Sequence, residues 1–180
     1  AGRSGTDSGD MLGSYDADVV QQDDHDCVII MTGYNDWANA NHNAATVYAN
    51  VTSMVKKSFG KLVVVVSSLP YATNGTYGSA NRAEAIKYNR MMRNFCLGMK
   101  NVRFADAAAK MIDAMNATKF SPLANMLQAD GIHPSPLGAK NAIAQSIYDV
   151  IQYDIPKVQR LVSCSGDNYG ADSTNPNIMD

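Results

Sequence analysis

Three short runs constrain the fold most: Cys27–Met31 (CVIIM), Leu62–Ser67 (LVVVVS) and Val102–Ala105 (VRFA). They are apolar and rich in β-branched residues, the pattern of strands covered on both faces. Between them the apolar period changes. From Ala44 to Phe59, Val47, Val51, Met54, Val55 and Phe59 fall near one helical face. From Asn81 to Gly98, Ile86, Met92, Phe95 and Met99 do the same, with Asn81 as N-cap and Gly98 as the stop. From Pro136 to Gln152 the stripe is Ala139, Ile143, Ile147, Val150 and Ile151, with Ser135 as the cap and Pro136 in the first turn. A weaker helical pattern covers Asp7 to Gln22. Alternating helix and strand implies right-handed βαβ crossovers and a parallel sheet, hence an α/β fold.

Composition removes several classes of function. At 180 residues the chain has room for one ordinary domain. With 46% hydrophobic and 18% charged residues it can build a core, so disorder is not its dominant state. Fifteen Lys and Arg stand against 17 Asp and Glu without clustering, which argues against a nucleic-acid partner. No apolar run reaches bilayer length, so no membrane partner is expected. The opening AGRSGTDSGD has neither the apolar stretch nor the cleavage site of a signal peptide. Cys27, Cys96 and Cys164 form no CxxC pair, so no metal is expected, and Cys27 and Cys96 read as core residues. The methionines at 91, 92, 111 and 115 read as core filler. Residues 1–160 read as one domain and 161–180 as a polar tail or linker within a larger multidomain chain.

Ligands of open parallel sheets bind beyond the carboxyl ends of the strands. Three segments fall there or late in the chain: Thr32–Trp37, Ser68–Tyr71 and Asp130–Pro134. Only three histidines exist. His25 lies in the acidic run Asp23–Asp26 and His42 in a polar loop, and both read as structural. His133 differs, because Asp130 precedes it by three residues in a turn stiffened by Gly131 and Pro134. A carboxylate so placed fixes the imidazole tautomer and stabilises the imidazolium. Asn35, at a strand end, can donate its amide to a developing oxyanion. Tyr34, Trp37 and Tyr71 can wall a pocket for an acyl or sugar group. Asp36 reads as structural, bonding the backbone of its own loop.

These residues resemble the SGNH (GDSL-type) hydrolase family. Gly2-Arg3-Ser4-Gly5 is similar to its second block, which would make the Gly2 N–H an oxyanion donor. Gly33-Tyr34-Asn35-Asp36 is similar to the third block, GxND, which gives Asn35 the side-chain oxyanion contact. Asp130-Gly131-Ile132-His133 is similar to the fifth, DxxH, which makes His133 the general base and Asp130 its orienting partner. The resemblance covers residues 1 to 152. It implies a three-layer α/β/α flavodoxin-like parallel sheet, no cofactor, and hydrolysis of a small-molecule or carbohydrate ester, often an O-acetyl group.

The first block of the family, a strand followed by GDS with the nucleophilic serine, has no counterpart in this chain. The resemblance therefore implies a sheet without its first one or two strands, Cys27–Met31 left as an edge, and a nucleophile supplied by the intact parent. Ser4 lacks the second glycine of a GxSxG elbow and a preceding strand. Gly9-Asp10 is followed by Met11, and Ser165-Gly166-Asp167 by Asn168. The alternative reading is an inactive carbohydrate-binding or structural module on the same frame.

Overall fold

The computed structural model describes residues 5–22, 25–38, 42–71, 79–113 and 120–154. The chain divides into two units, Ala1–Val150 and Ile151–Asp180. In the first, β1 (Cys27–Met31), β2 (Leu62–Val66) and β3 (Val102–Ala105) form a parallel sheet in the order β1-β2-β3. Register runs from Cys27 opposite Leu62 to Met31 opposite Val66, and from Val63 opposite Val102 to Val66 opposite Ala105. The strands are those expected from the three apolar runs.

Helix α1 (Ser8–Tyr15) precedes the sheet and continues as a π-helical stretch, Asp16–Val20. Asp7 caps α1 by accepting the N–H groups of Gly9 and Asp10, and the Asp10 carboxylate accepts the Asp7 N–H in return. A short α2 (Tyr34–Ala38) follows β1, and α3 (Ala44–Lys57) leads to β2. Helix α4 (Ser79–Leu97) leads to β3, and α5 (Ala107–Met111) follows it. Because the strands succeed one another in sequence order, right-handed crossovers set α3 and α4 on the same face. Val47, Val51, Met54 and Val55 of α3 and Ala85, Tyr88 and Met92 of α4 fill the core there. Helix α1 packs on α3, where the Tyr15 hydroxyl meets Ser58 Oγ at 2.6 Å and Lys57 pairs with Asp16.

The last helix begins as α6 (Pro136–Gly138), runs through a π-helical stretch (Ala139–Ala144) and ends as α7 (Gln145–Ile151). Ser135 caps it, accepting the Gly138 N–H, as expected. Its buried face is not the expected stripe. Gly138, Ala142 and Ser146 are buried, while Ala139 is exposed and Ile143, Ile147, Val150 and Ile151 are only half-buried. The buried residues keep the same spacing of four but stand one position earlier, so small side chains rather than branched ones face inward.

Other expectations need correction. Phe59 lies past the end of α3 and is 95% exposed, and Met99 lies beyond α4. Asn81 is not a cap, since α4 begins at Ser79; its amide donates to the Trp37 carbonyl at 2.8 Å. Cys96 is buried, but Cys27 is only half-buried.

Every residue of β2 from Val63 to Val66 is buried, so both faces of the central strand are covered. In β1, Val28 and Ile30 are buried while Ile29 and Met31 remain 52% and 45% exposed. One face of β1 is thus open, and its outer edge has no strand paired to it among the described residues.

Candidate active site

The first functional turn is clamped between the ends of β1 and β2. Gly33 has φ +125°, and a Cβ there would lie 2.6 Å from Ser68 Oγ. Only glycine allows this backbone so close to Ser68. Ser68 is fixed in turn: its N–H donates to Asn89 Oδ1, its carbonyl accepts from Asn89 Nδ2, and its Oγ accepts the Trp37 indole N–H at 2.8 Å. The backbone then enters α2, where Asn35 donates from Nδ2 to the Thr6 carbonyl at 2.9 Å. An amide has two N–H bonds, and the Thr6 carbonyl takes one of them.

The second turn closes on itself. Gln128 N–H donates to the His133 carbonyl, Gln128 Nε2 to the Pro134 carbonyl, and Ser135 N–H to the Met126 carbonyl. Gly131 supplies the left-handed residue at φ +71°. Asp130 Oδ1 accepts the N–H groups of Ile132 and His133, and Oδ2 stands 2.7 Å from His133 Nδ1. The His133 contact first, and those backbone N–H groups next, bring the Asp130 carboxyl down to about 2. An ionised carboxylate only accepts, so in the neutral imidazole the proton sits on Nδ1 and Nε2 is left as the acceptor. The His133 side chain is 69% exposed, and no hydrogen-bond partner stands at its Nε2 among the described residues.

These two turns line one cavity of about 890 Å³. Gly5, Thr6, Gly33, Tyr34, Asn35, Leu69, Pro70, Ile132, His133 and Pro134 are among the residues that line it. It runs along the open side of β1, past Ile29 and Met31, to His25. Of the three aromatic residues assigned to the pocket wall, only Tyr34 lines it. Trp37 and Tyr71 are 1% exposed each and belong to the core. Trp37 packs against Tyr88, and Tyr71 meets the Tyr34 ring edge-on at 6.0 Å. They back the wall rather than form it. Gly2 and Ser4 lie outside the described residues.

Sequence reasoning missed Thr6, whose carbonyl orients Asn35, because a backbone acceptor leaves no mark in residue identity. It also misplaced the partners of Asp36. This residue is fully buried and bonds Ser8, Thr32 and His42 through its carboxylate, not the backbone of its own loop. Asp7, Asp36 and His42 offer ligand atoms within 4.8 Å of one another. Asp7 already caps α1 and Asp36 already accepts from its neighbours, so the three read as a hydrogen-bonded knot.

Comparison with known proteins supplies the wider setting. Residues 1–140 match the family described as GDSL-like lipase/acylhydrolase. No curated protein matches the chain by sequence. Among solved structures, a lipase/acylhydrolase from Enterococcus faecalis is similar at 20% identity and TM-score 0.67, over 86% of this chain and 75% of that one. A carbohydrate esterase family 3 protein from Talaromyces cellulolyticus aligns at 24% identity and TM-score 0.66, over 86% and 72%. A catalytic mutant of an acetylxylan esterase from Geobacillus stearothermophilus aligns at 22% and 0.63, over 82% and 68%. At these identities the likeness establishes a shared fold.

Proposed function

Since the chain belongs to the GDSL-like lipase/acylhydrolase family, we propose that its intact parent is a serine esterase using Asp130, His133, Asn35 and Gly2. One observation carries the reading: Asn35 and His133, remote in sequence, line the same cavity, and Asp130 holds the His133 ring there. A serine attacks the ester carbonyl while His133 Nε2 takes its proton. Asp130 holds Nδ1–H and stabilises the imidazolium. Asn35 Nδ2 and the Gly2 N–H share the negative charge on the carbonyl oxygen. His133 then returns the proton to the leaving alcohol, and water, with His133 again as base, releases the acid.

The serine does not come from this chain in the proposal. A strand-and-turn segment of the parent, pairing with the open edge of β1, delivers it to the cavity where His133 Nε2 is accessible. Support comes from the edge of β1, to which no strand pairs among the described residues, from the cavity beside it and from the lack of a GDS sequence. The substrate is an ester of modest size, and an O-acetyl group on a carbohydrate is the favoured class. The named activities of the Talaromyces and Geobacillus structures support that choice, and Tyr34 offers a ring for a sugar face.

Turnover of an acetylated xylo-oligosaccharide by the parent tests this. Asn35→Ala should lower kcat by about 10²–10³, the usual cost of removing an oxyanion donor. Wild-type parent that binds the sugar but releases no acetate would identify an inactive binding module instead.

A further inference from the structure

Asp36 is a carboxylate with no exposure at all. Burying a charge is costly unless hydrogen bonds replace the water it loses. Its partners come from three separate parts of the chain. Ser8, at the start of α1, donates its N–H to both carboxylate oxygens at 3.1 and 3.2 Å and its Oγ to Oδ1 at 2.5 Å. Thr32, at the end of β1, donates from Oγ1 at 3.0 Å. His42, ahead of α3, places Nδ1 at 3.1 Å, and its N–H donates to the Asp36 carbonyl. Asn50 of α3 supports Ser8 by donating to its Oγ at 2.9 Å.

The neighbouring side chain makes this arrangement informative. Asn35 donates to the Thr6 carbonyl, two residues before Ser8. Consecutive residues of the first turn of α2 therefore grip the same short strip, Thr6–Ser8. Asn35 holds it at the cavity, and Asp36 holds it beneath. Gly5 and Thr6 line the cavity beside Asn35 and His133, and the strip leads back in sequence toward Gly2. A donor pair for an oxyanion works only when both groups are set within a fraction of an ångström before the charge appears.

We propose that Asp36 is a positioning residue for the oxyanion site: its carboxylate fastens Ser8 to Thr32 and so holds the Asn35 amide in register with the Gly5–Thr6 backbone. This rests on the esterase reading for its catalytic consequence but not for its geometry. Asp36→Asn keeps the shape and exchanges an accepting oxygen for an amide group facing the Ser8 donors. The effect travels through Asn35, so substrate affinity is spared while transition-state stabilisation suffers.

Two measurements test it. In the 180-residue chain, Asp36→Asn should speed hydrogen exchange of the Ser8 N–H and shift the Asn35 side-chain amide signals in NMR spectra. In the parent enzyme the same change should lower kcat on p-nitrophenyl acetate by about tenfold or more, less than the loss from deleting the donor itself, with KM within about twofold. Ser8→Ala and Thr32→Val should reproduce the shift in milder form, and they carry the test if Asp36→Asn does not fold. Unmoved Asn35 signals in folded variants overturn the proposal, as does an unchanged kcat. A wild-type parent without esterase activity defeats the esterase reading, and the spectra then still decide the geometry.

Discussion

To act as the proposed base, the His133 imidazole needs a proton on Nδ1, an open Nε2 and a partner that stays ionised. Asp130 provides the first and last through contacts that also bind the turn together. Its folded carboxyl titrates at about 2, below the unfolded value of about 3.9. Stability from this turn is therefore fully present above the unfolded value and is lost as pH falls through about 2. A carbon-detected NMR titration should place the Asp130 carboxyl midpoint near 2 in the folded chain. A midpoint near the ordinary carboxylate value would mean that the couple is not formed in solution. This part of the site was legible in sequence, because Asp130, Gly131, His133 and Pro134 are all local to one turn. Asp36 was not, since Ser8 lies 28 residues away and a buried carboxylate looks in sequence like any turn aspartate. Trp37 and Tyr71 were misread for a related reason. Their types suit a pocket wall as well as a core, and only the packing of Tyr88 and Tyr34 against them decides.

At the scale of elements, the strands could be read because covered parallel strands leave an unbroken apolar run. The four long helical segments could be read, but the five-residue α2 and α5 were not, and register was read less well. The last stripe was read from the branched Ile143 and Ile147, and so missed the small buried residues one position earlier, Gly138, Ala142 and Ser146. Gly138 matters most of these for the site. A Cβ there would overlap the carbonyl oxygen of Met126, the group that accepts the Ser135 N–H and anchors the His133 turn. Gly138→Ala should cost about 1–3 kcal/mol in urea denaturation, as overpacking does, and should lower esterase activity of the parent further than its loss of folded protein accounts for. Ser135→Ala removes the cap and should cost about 1 kcal/mol. A Gly138→Ala protein as stable as wild type would show that helix and turn are not pressed together there.

Across the whole of the first unit, the open flank of β1 is the dominant feature. Its apolar residues are exposed and no strand pairs with its outer side among the described residues, which invites association. Ile29→Lys together with Met31→Lys should reduce self-association of the 180-residue chain in light scattering, with little effect on its secondary structure by circular dichroism. In the parent, the same pair should impair folding or activity, because that flank is where the serine-bearing segment is proposed to sit. The α/β class with a parallel sheet followed from alternation of period, whereas the edge position of β1 was implied by the family resemblance. The cavity along β1 followed from neither, because it is lined by residues from segments far apart in sequence, from Gly5 to Pro134.

Hydrolysis of p-nitrophenyl acetate by the parent protein, compared with its His133→Ala variant, tests the central claim most directly. The expected result is turnover that collapses in the variant, with folding unchanged and the 180-residue chain alone nearly inactive. Turnover surviving without His133, or brisk hydrolysis by the 180-residue chain, would contradict the account.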